Sequence, residues 1–179
     1  ALLAMAPLYS TPVTNKPLAN ELVPEAQPAE LIRTISSRGG ISVRTLIGSN
    51  LIAHAMSLRD FSPTAADALG RTLMGTVLIA VGSAARSSEE PGENLQVQIR
   101  GDGPLGSLVA ISDSDGRVRG TVSEPGFDLR LRDGTPDIAR AIGLGTLTVI
   151  RHRPGWGEPH SGSVPLTSGE VAADLTLYL

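Results

Sequence analysis

Leu95-Gln-Val-Gln-Ile-Arg100-Gly-Asp-Gly-Pro104-Leu-Gly-Ser-Leu-Val109-Ala-Ile-Ser-Asp-Ser-Asp115-Gly-Arg-Val-Arg-Gly120-Thr-Val122 decides the fold. Leu95, Val97 and Ile99 alternate with Gln96, Gln98 and Arg100, the period of a strand with one wet face. Gly101-Asp102-Gly103-Pro104 is a turn, Leu105 to Ser112 an apolar strand, and Ser114-Asp115-Gly116 hairpin chemistry. Arg117 to Val122 returns as the partner strand, with Val118 and Val122 on one face and Arg117 and Arg119 on the other. The stretch therefore predicts an antiparallel meander around 95–122.

Upstream, the helical signals dominate. Ser62-Pro63 is an N-cap followed by proline at the first helical position. Ala65, Leu69, Leu73, Val77 and Val81 recur every four residues, and Leu78, Ile79 and Ala80 widen the stripe. The spacing predicts a helix from Pro63 to about Ala85, buried on most sides. Leu31–Ser37 and Ile41–Arg44 read as two short strands around Gly39-Gly40, and Thr45–Leu58 as a helix carrying Leu46, Ile47, Leu51, Ile52, Ala55 and Met56. Ser87–Glu93 reads as a polar loop.

Downstream, Thr135-Pro136 opens a short helix through Ile142, ended by Gly143. Thr146–Arg151 and His160–Leu166 are strands, and Thr167-Ser168-Gly169-Glu170 fits a capping box that opens a last helix. The element order is α+β, an antiparallel or mixed sheet core packed with helices, rather than a βαβ series.

Residues 1–29 form a separate region. Pro7, Pro12, Pro17, Pro24 and Pro28 break helix and sheet alike, which predicts a disordered or loosely packed arm. Residues 30–179 are expected to be one domain. Leu175–Leu179 reads as mid-helix, without a glycine cap or a proline stop. With Ala rather than Met at position 1, this predicts a C-terminally truncated piece of a longer chain.

Composition narrows the chemistry. The 179 residues carry a formal net charge of −3 and no Lys/Arg cluster, against nucleic-acid binding. The absence of cysteine removes disulfides, thiolate zinc sites and cysteine nucleophiles. The apolar run Thr72–Ala85 is too short to cross a membrane. There is no GxSxG elbow, HExxH or P-loop. No nucleophile lies beside a base and no pair of carboxylates converges by spacing, so no catalytic residue is assigned. His152, Glu158 and His160 fit no standard ligand spacing, and no metal residue is assigned either.

Gly101-Asp102-Gly103-Pro104-Leu105-Gly106 satisfies GxGxxG after a strand, with Glu124 near the spacing of a ribose-binding acid. A dinucleotide site also needs a helix directly after the glycines. The next segment is strand-like, so the turn is read as structural. The alternative, a nucleotide-binding or small-molecule enzyme domain built on 101–106, predicts a phosphate-sized pocket there.

The run from Leu95 through Val122 resembles the heat-shock protein 33 family, which carries a strand, a Gly-Asp-Gly-Pro turn, a strand and a return strand ending in Arg-Gly. Arg100, Gly101, Asp102, Gly103 and Pro104 form the signature. Ile32-Arg-Thr34 with Arg38-Gly39 is similar to the family's opening, and Gly162 to Leu179 to its entry into a later helix. The resemblance covers residues 30–179 and implies the family's N-terminal domain. It further implies an ATP-independent holdase, not an enzyme, acting under oxidative or heat stress in the cytoplasm of bacteria or in organelles of bacterial origin. Unfolded or partly folded proteins are the implied clients. A homodimer is the implied active form, with neither nucleic acid nor membrane as partner. The family's redox switch is a C-terminal zinc centre of four cysteines. This sequence has none of them, so no cofactor is assigned to this chain. The apolar face of the 95–122 meander, with parts of the 63–85 helix, is expected either to be core or to become client surface. No individual client contact is assigned.

Overall fold

The computed structural model describes residues 29–37, 39–84 and 92–179; for Ser83 and Ala84 it describes the backbone alone. The expected arm, apart from Ala29, and most of the Ser87–Glu93 loop lie outside the described residues, as does Arg38.

The elements in order are β1 (Glu30–Ile35), β2 (Ser42–Ile47), α1 (Ser49–Leu58), α2 (Pro63–Ala84), β3 (Asn94–Gly101), β4 (Ser107–Asp113), β5 (Val118–Val122), α3 (Ile138–Ile142), β6 (Gly145–His152), β7 (His160–Leu166) and α4 (Val171–Tyr178). β1 and β2 form a two-stranded sheet of their own, and the other strands form a five-stranded sheet in the order β5-β4-β3-β6-β7. Every pairing is antiparallel. The expected α+β fold with a meander is what forms, and the later two strands extend the meander from its first strand.

The register explains the core. Val164, Leu147, Ile99, Leu108 and Val122 stand side by side in one row across the sheet, and Gly162, Val149, Val97, Ala110 and Gly120 in the next. The second row has small residues at three of its five positions. A β-carbon added at Gly120 would lie 2.9 Å from Leu73 Cδ2 and 3.2 Å from Leu69 Cδ1. The missing side chain is what lets α2 lie close on the sheet. Leu69, Leu73, Val77, Leu95, Val97, Ile99, Leu108 and Ala110 are all buried in one cluster. Burying each Leu, Val or Ile of this set stabilises the fold by roughly 1.5–3 kcal/mol.

α2 is the central helix. A β-carbon at Gly70 would lie 2.6 Å from Ile52 Cδ1, and one at Gly75 would overlap Leu175 Cδ1. These two glycines mark where α1 and α4 press on it. The window Pro63–Gly82 is long and apolar enough to cross a bilayer, longer than the run weighed from sequence, but 61% of it is buried against the rest of the domain. Ser62 caps α2 as expected: its Oγ accepts from Ala65 N at 3.1 Å.

Four expectations need correction. Thr45–Ile47 is not helical but completes β2, paired with Glu30–Ile32. The β-branched run outweighs the helical spacing of Leu46 and Ile47 with Leu51 and Ile52. Leu105 and Gly106 belong to the turn rather than to β4, and the short helix starts at Ile138, not at Thr135-Pro136, with Asp137 as its cap accepting from Arg140 N at 3.2 Å. The capping box does not form. Glu170 instead pairs with Arg71 at 3.2 Å. The fully buried Asp174 does the tying: its Oδ1 accepts from Thr167 N at 3.0 Å, Ser168 N at 3.2 Å and Thr167 Oγ1 at 3.1 Å.

Candidate functional site

The signature residues lie where β3 ends. Arg100 is exposed at the end of the strand, opposite Ser107 and Thr146. Gly101 to Pro104 then turn over the C-terminus of α3. Asp102 N donates to Leu144 O at 2.7 Å, Gly103 N to Ile142 O at 2.9 Å, Leu105 N to Ala141 O at 2.9 Å and Gly106 N to Gly103 O at 3.1 Å. In return Leu144 N donates to Asp102 Oδ1 at 2.8 Å. A helix leaves its last carbonyls without intrahelical partners, and here the glycine turn supplies donors to two of them.

The contact leaves no room for side chains. A β-carbon at Gly101 or Gly103 would overlap carbonyl oxygens of Ile142 and Ala141. Gly143, at φ 74°, is in the left-handed region, and a β-carbon there would overlap Asp102 Oδ1. This geometry decides what the GxGxxG-like run can do. All four amides between Asp102 and Gly106 donate to carbonyl oxygens, and Pro104 has none. A phosphate cradle needs such amides free and aimed at the anion, at the start of a helix. The turn leads instead into β4, so the nucleotide-binding alternative finds no support.

The histidines do not converge on a metal. His160 opens β7 opposite Arg151 and stacks edge-on with Trp156 at 4.6 Å. The Arg153 guanidinium lies over the ring of that tryptophan, 5.7 Å from its centre. Among the described residues no group of three or more His, Asp or Glu is placed to hold a metal ion. A water-sized cavity of about 30 Å³ is lined by Asn94, Ile111, Asp113, Arg117 and Arg119. Small-molecule sites span roughly 300–1,000 Å³.

Charged groups serve the loops. Asp128 has its carboxyl held below the ordinary range, first by the hydrogen bond from Arg130 and then by that from Thr64. Thr64 Oγ1 approaches Asp128 Oδ1 and Leu129 O, each at 2.8 Å, and accepts from Leu129 N at 3.0 Å. The loop before α3 is thereby tied to the start of α2. Arg117 is raised above its usual value by its hydrogen bond to Asp115 and the nearby Asp113.

The remaining candidate is apolar surface. Of the two roles open to the meander and the long helix, the structure gives them the core: Leu95, Val97, Ile99, Leu108, Val118 and Val122 are buried beneath α2. The exposed aliphatic side chains lie mainly on the β1–β2 hairpin and α1: Ile32, Ile35, Ile41, Val43, Ile47, Met56 and Leu58. From sequence the hairpin is two short strands around Gly39-Gly40, not singled out as exposed apolar surface. The signal was present in the alternation Ile41, Val43, Thr45, Ile47, which the helix assigned from Thr45 cut in half.

The model of the family described as Hsp33 protein matches residues 29–179. The 33 kDa chaperonin of Synechococcus elongatus is 36% identical over 151 residues, covering 84% of this chain and 49% of that protein. That of Thermus thermophilus is 36% identical over 150 residues, covering 83% and 42%. The crystal structure of the 33 kDa chaperonin, a heat shock protein 33 homolog, from Thermotoga maritima superposes with a TM-score of 0.63 at 38% identity, over 71% of this chain and 42% of that one. The chain spans about half the length of the curated relatives it matches. One fold, one glycine turn and one matched stretch lead to the same assignment: the chain belongs to the heat-shock protein 33 family.

Proposed function

We propose that this domain is the client-holding part of an ATP-independent holdase, which captures unfolding proteins under oxidative or heat stress in a cytoplasm of bacterial type. The observation that carries this reading is the family match across residues 29–179. The physical support is that the described residues offer exposed aliphatic side chains and no catalytic constellation. Apolar area removed from water yields roughly 25 cal/mol per Å², so a patch of several hundred Å² holds a client with no bond made or broken. The working form is a homodimer, as the family resemblance implies.

The four-cysteine zinc centre of the family does not fit these residues, because the chain has no cysteine. Any such switch is built outside them, and holding by this domain is independent of thiols. The test is the thermal aggregation of an unrelated protein, followed by light scattering without ATP. The expected result is suppression at a several-fold molar excess of the chain, unchanged by dithiothreitol. No suppression at that excess overturns the reading.

A further inference from the structure

We infer that the outer face and open edge of the β1–β2 hairpin bind an extended, uncharged, β-prone segment of a client as an added strand. This rests on the holdase reading and gives it a place.

The register fixes which side chains share a face. Pairing Ile32 with Thr45, Thr34 with Val43 and Glu30 with Ile47 puts these six on one side. Ile41, two residues before Val43, joins them, since Ser36 N donates to Ile41 O at 3.0 Å and carries the pairing one step further. Ile32 is 42% exposed, Ile41 66%, Val43 53% and Ile47 44%. The face thus carries four large aliphatic residues, two threonines and one charge. The opposite face points Leu46 at the core.

The edges differ from one edge of the larger sheet, β7. β7 carries Pro165, which cannot donate to a neighbouring strand. β1 and β2 contain no proline, and no described strand pairs with the outer edge of either. The face of β2 that carries Leu46 lies against the core and α2. An unpaired row of amides and carbonyls beside apolar side chains is the arrangement used in strand addition. A two-stranded sheet is marginal by itself, and a third strand stabilises it.

Size selects the occupant. At roughly 3.3 Å per residue and 4.8 Å between strands, the face is about 25 Å by about 10 Å, roughly 250 Å². A stable interface between folded proteins takes about 800 Å² per partner. The hairpin is too small to hold a second folded copy by itself, and it matches one extended segment of about eight residues.

The test uses the chain and a fluorescein-labelled peptide of about eight alternating Val and Thr residues, with a twin N-methylated at alternate positions. The N-methyl groups remove strand donors and keep the side chains. Fluorescence anisotropy is expected to show binding of the parent and at least tenfold weaker binding of the twin. The Ile32→Thr/Val43→Thr variant, which keeps β-branching, is expected to bind the parent at least tenfold more weakly, with its circular dichroism unchanged. Equal binding of both peptides, or by both proteins, overturns the inference. A concentration-dependent dimer lost in the double variant, without peptide binding, overturns it in favour of a second copy. Binding only after removal of residues 1–28 overturns it in favour of the chain's own leading segment. If aggregation is suppressed equally by the double variant, the hairpin site fails and the holdase reading stands. If the peptide binds as expected but nothing suppresses aggregation, the site stands and the holdase reading fails.

Discussion

The five-stranded sheet and the β1–β2 hairpin are made of similar material and end in opposite states. Both are antiparallel, and both alternate β-branched residues with polar ones. In the large sheet the apolar face lies under α2, and Leu95, Val97 and Ile99 are buried. In the hairpin the equivalent face carries Ile32, Val43 and Ile47 in the open. Alternation identifies a face, therefore, but not whether anything covers it. The cover depends on small residues at the right places: Gly120 and Ala110 admit α2, and Gly70 and Gly75 admit α1 and α4. Among the described residues no helix lies over the hairpin's outer face.

The comparison breaks most sharply at its covered side. Leu69→Ala removes a buried side chain at the helix–sheet seam and is expected to cost about 3 kcal/mol in urea unfolding. A loss below about 1 kcal/mol would mean that α2 and the sheet are not held by this seam.

The glycine turn comes next. Gly143→Ala forces a side chain into a left-handed position against Asp102 and is expected to cost about 2 kcal/mol. Asp102→Ala, which only removes the acceptor for Leu144 N, is expected to cost about 1 kcal/mol. Reversal of that order would show that the hydrogen bond, rather than the close backbone approach, holds the turn to α3.

The smallest effect concerns Asp128. Its carboxyl lies below the ordinary value of 3.8, chiefly through Arg130 and Thr64. The folded state binds this proton less readily than the unfolded chain. Its contribution is therefore complete above the unfolded value and lost as pH falls through the folded one. The urea midpoint of the native chain is expected to fall more steeply below about pH 4 than that of Asp128→Asn. Parallel curves would show that the Thr64–Asp128 tie adds nothing to the fold.

Much of the large sheet was legible because its signals are local. β7 was read with both boundaries correct, and α2 to within a residue of its end, because Ser62-Pro63 and a four-residue stripe are unambiguous over 22 residues. The errors fell where two local signals compete. Thr45–Ile47 fits a helix by spacing and a strand by branching, and pairing with β1 decides. Glu170 has the spacing of a capping box, but Arg71 lies 99 residues away in the chain and claims it. The signature turn was legible as a turn. What it grips was not, because Ala141, Ile142 and Leu144 meet it only through the fold.

By itself the sequence determined the periodicity of each element, the positions that need glycine or proline, the lack of thiol chemistry and the family. Those depend on neighbouring residues or on residue type alone. Tertiary structure decided which apolar face is core and which is exposed, and whether the amides after Gly101 are free for a ligand. Both depend on what lies across space from a segment, here α2 over the meander and the end of α3 under the turn.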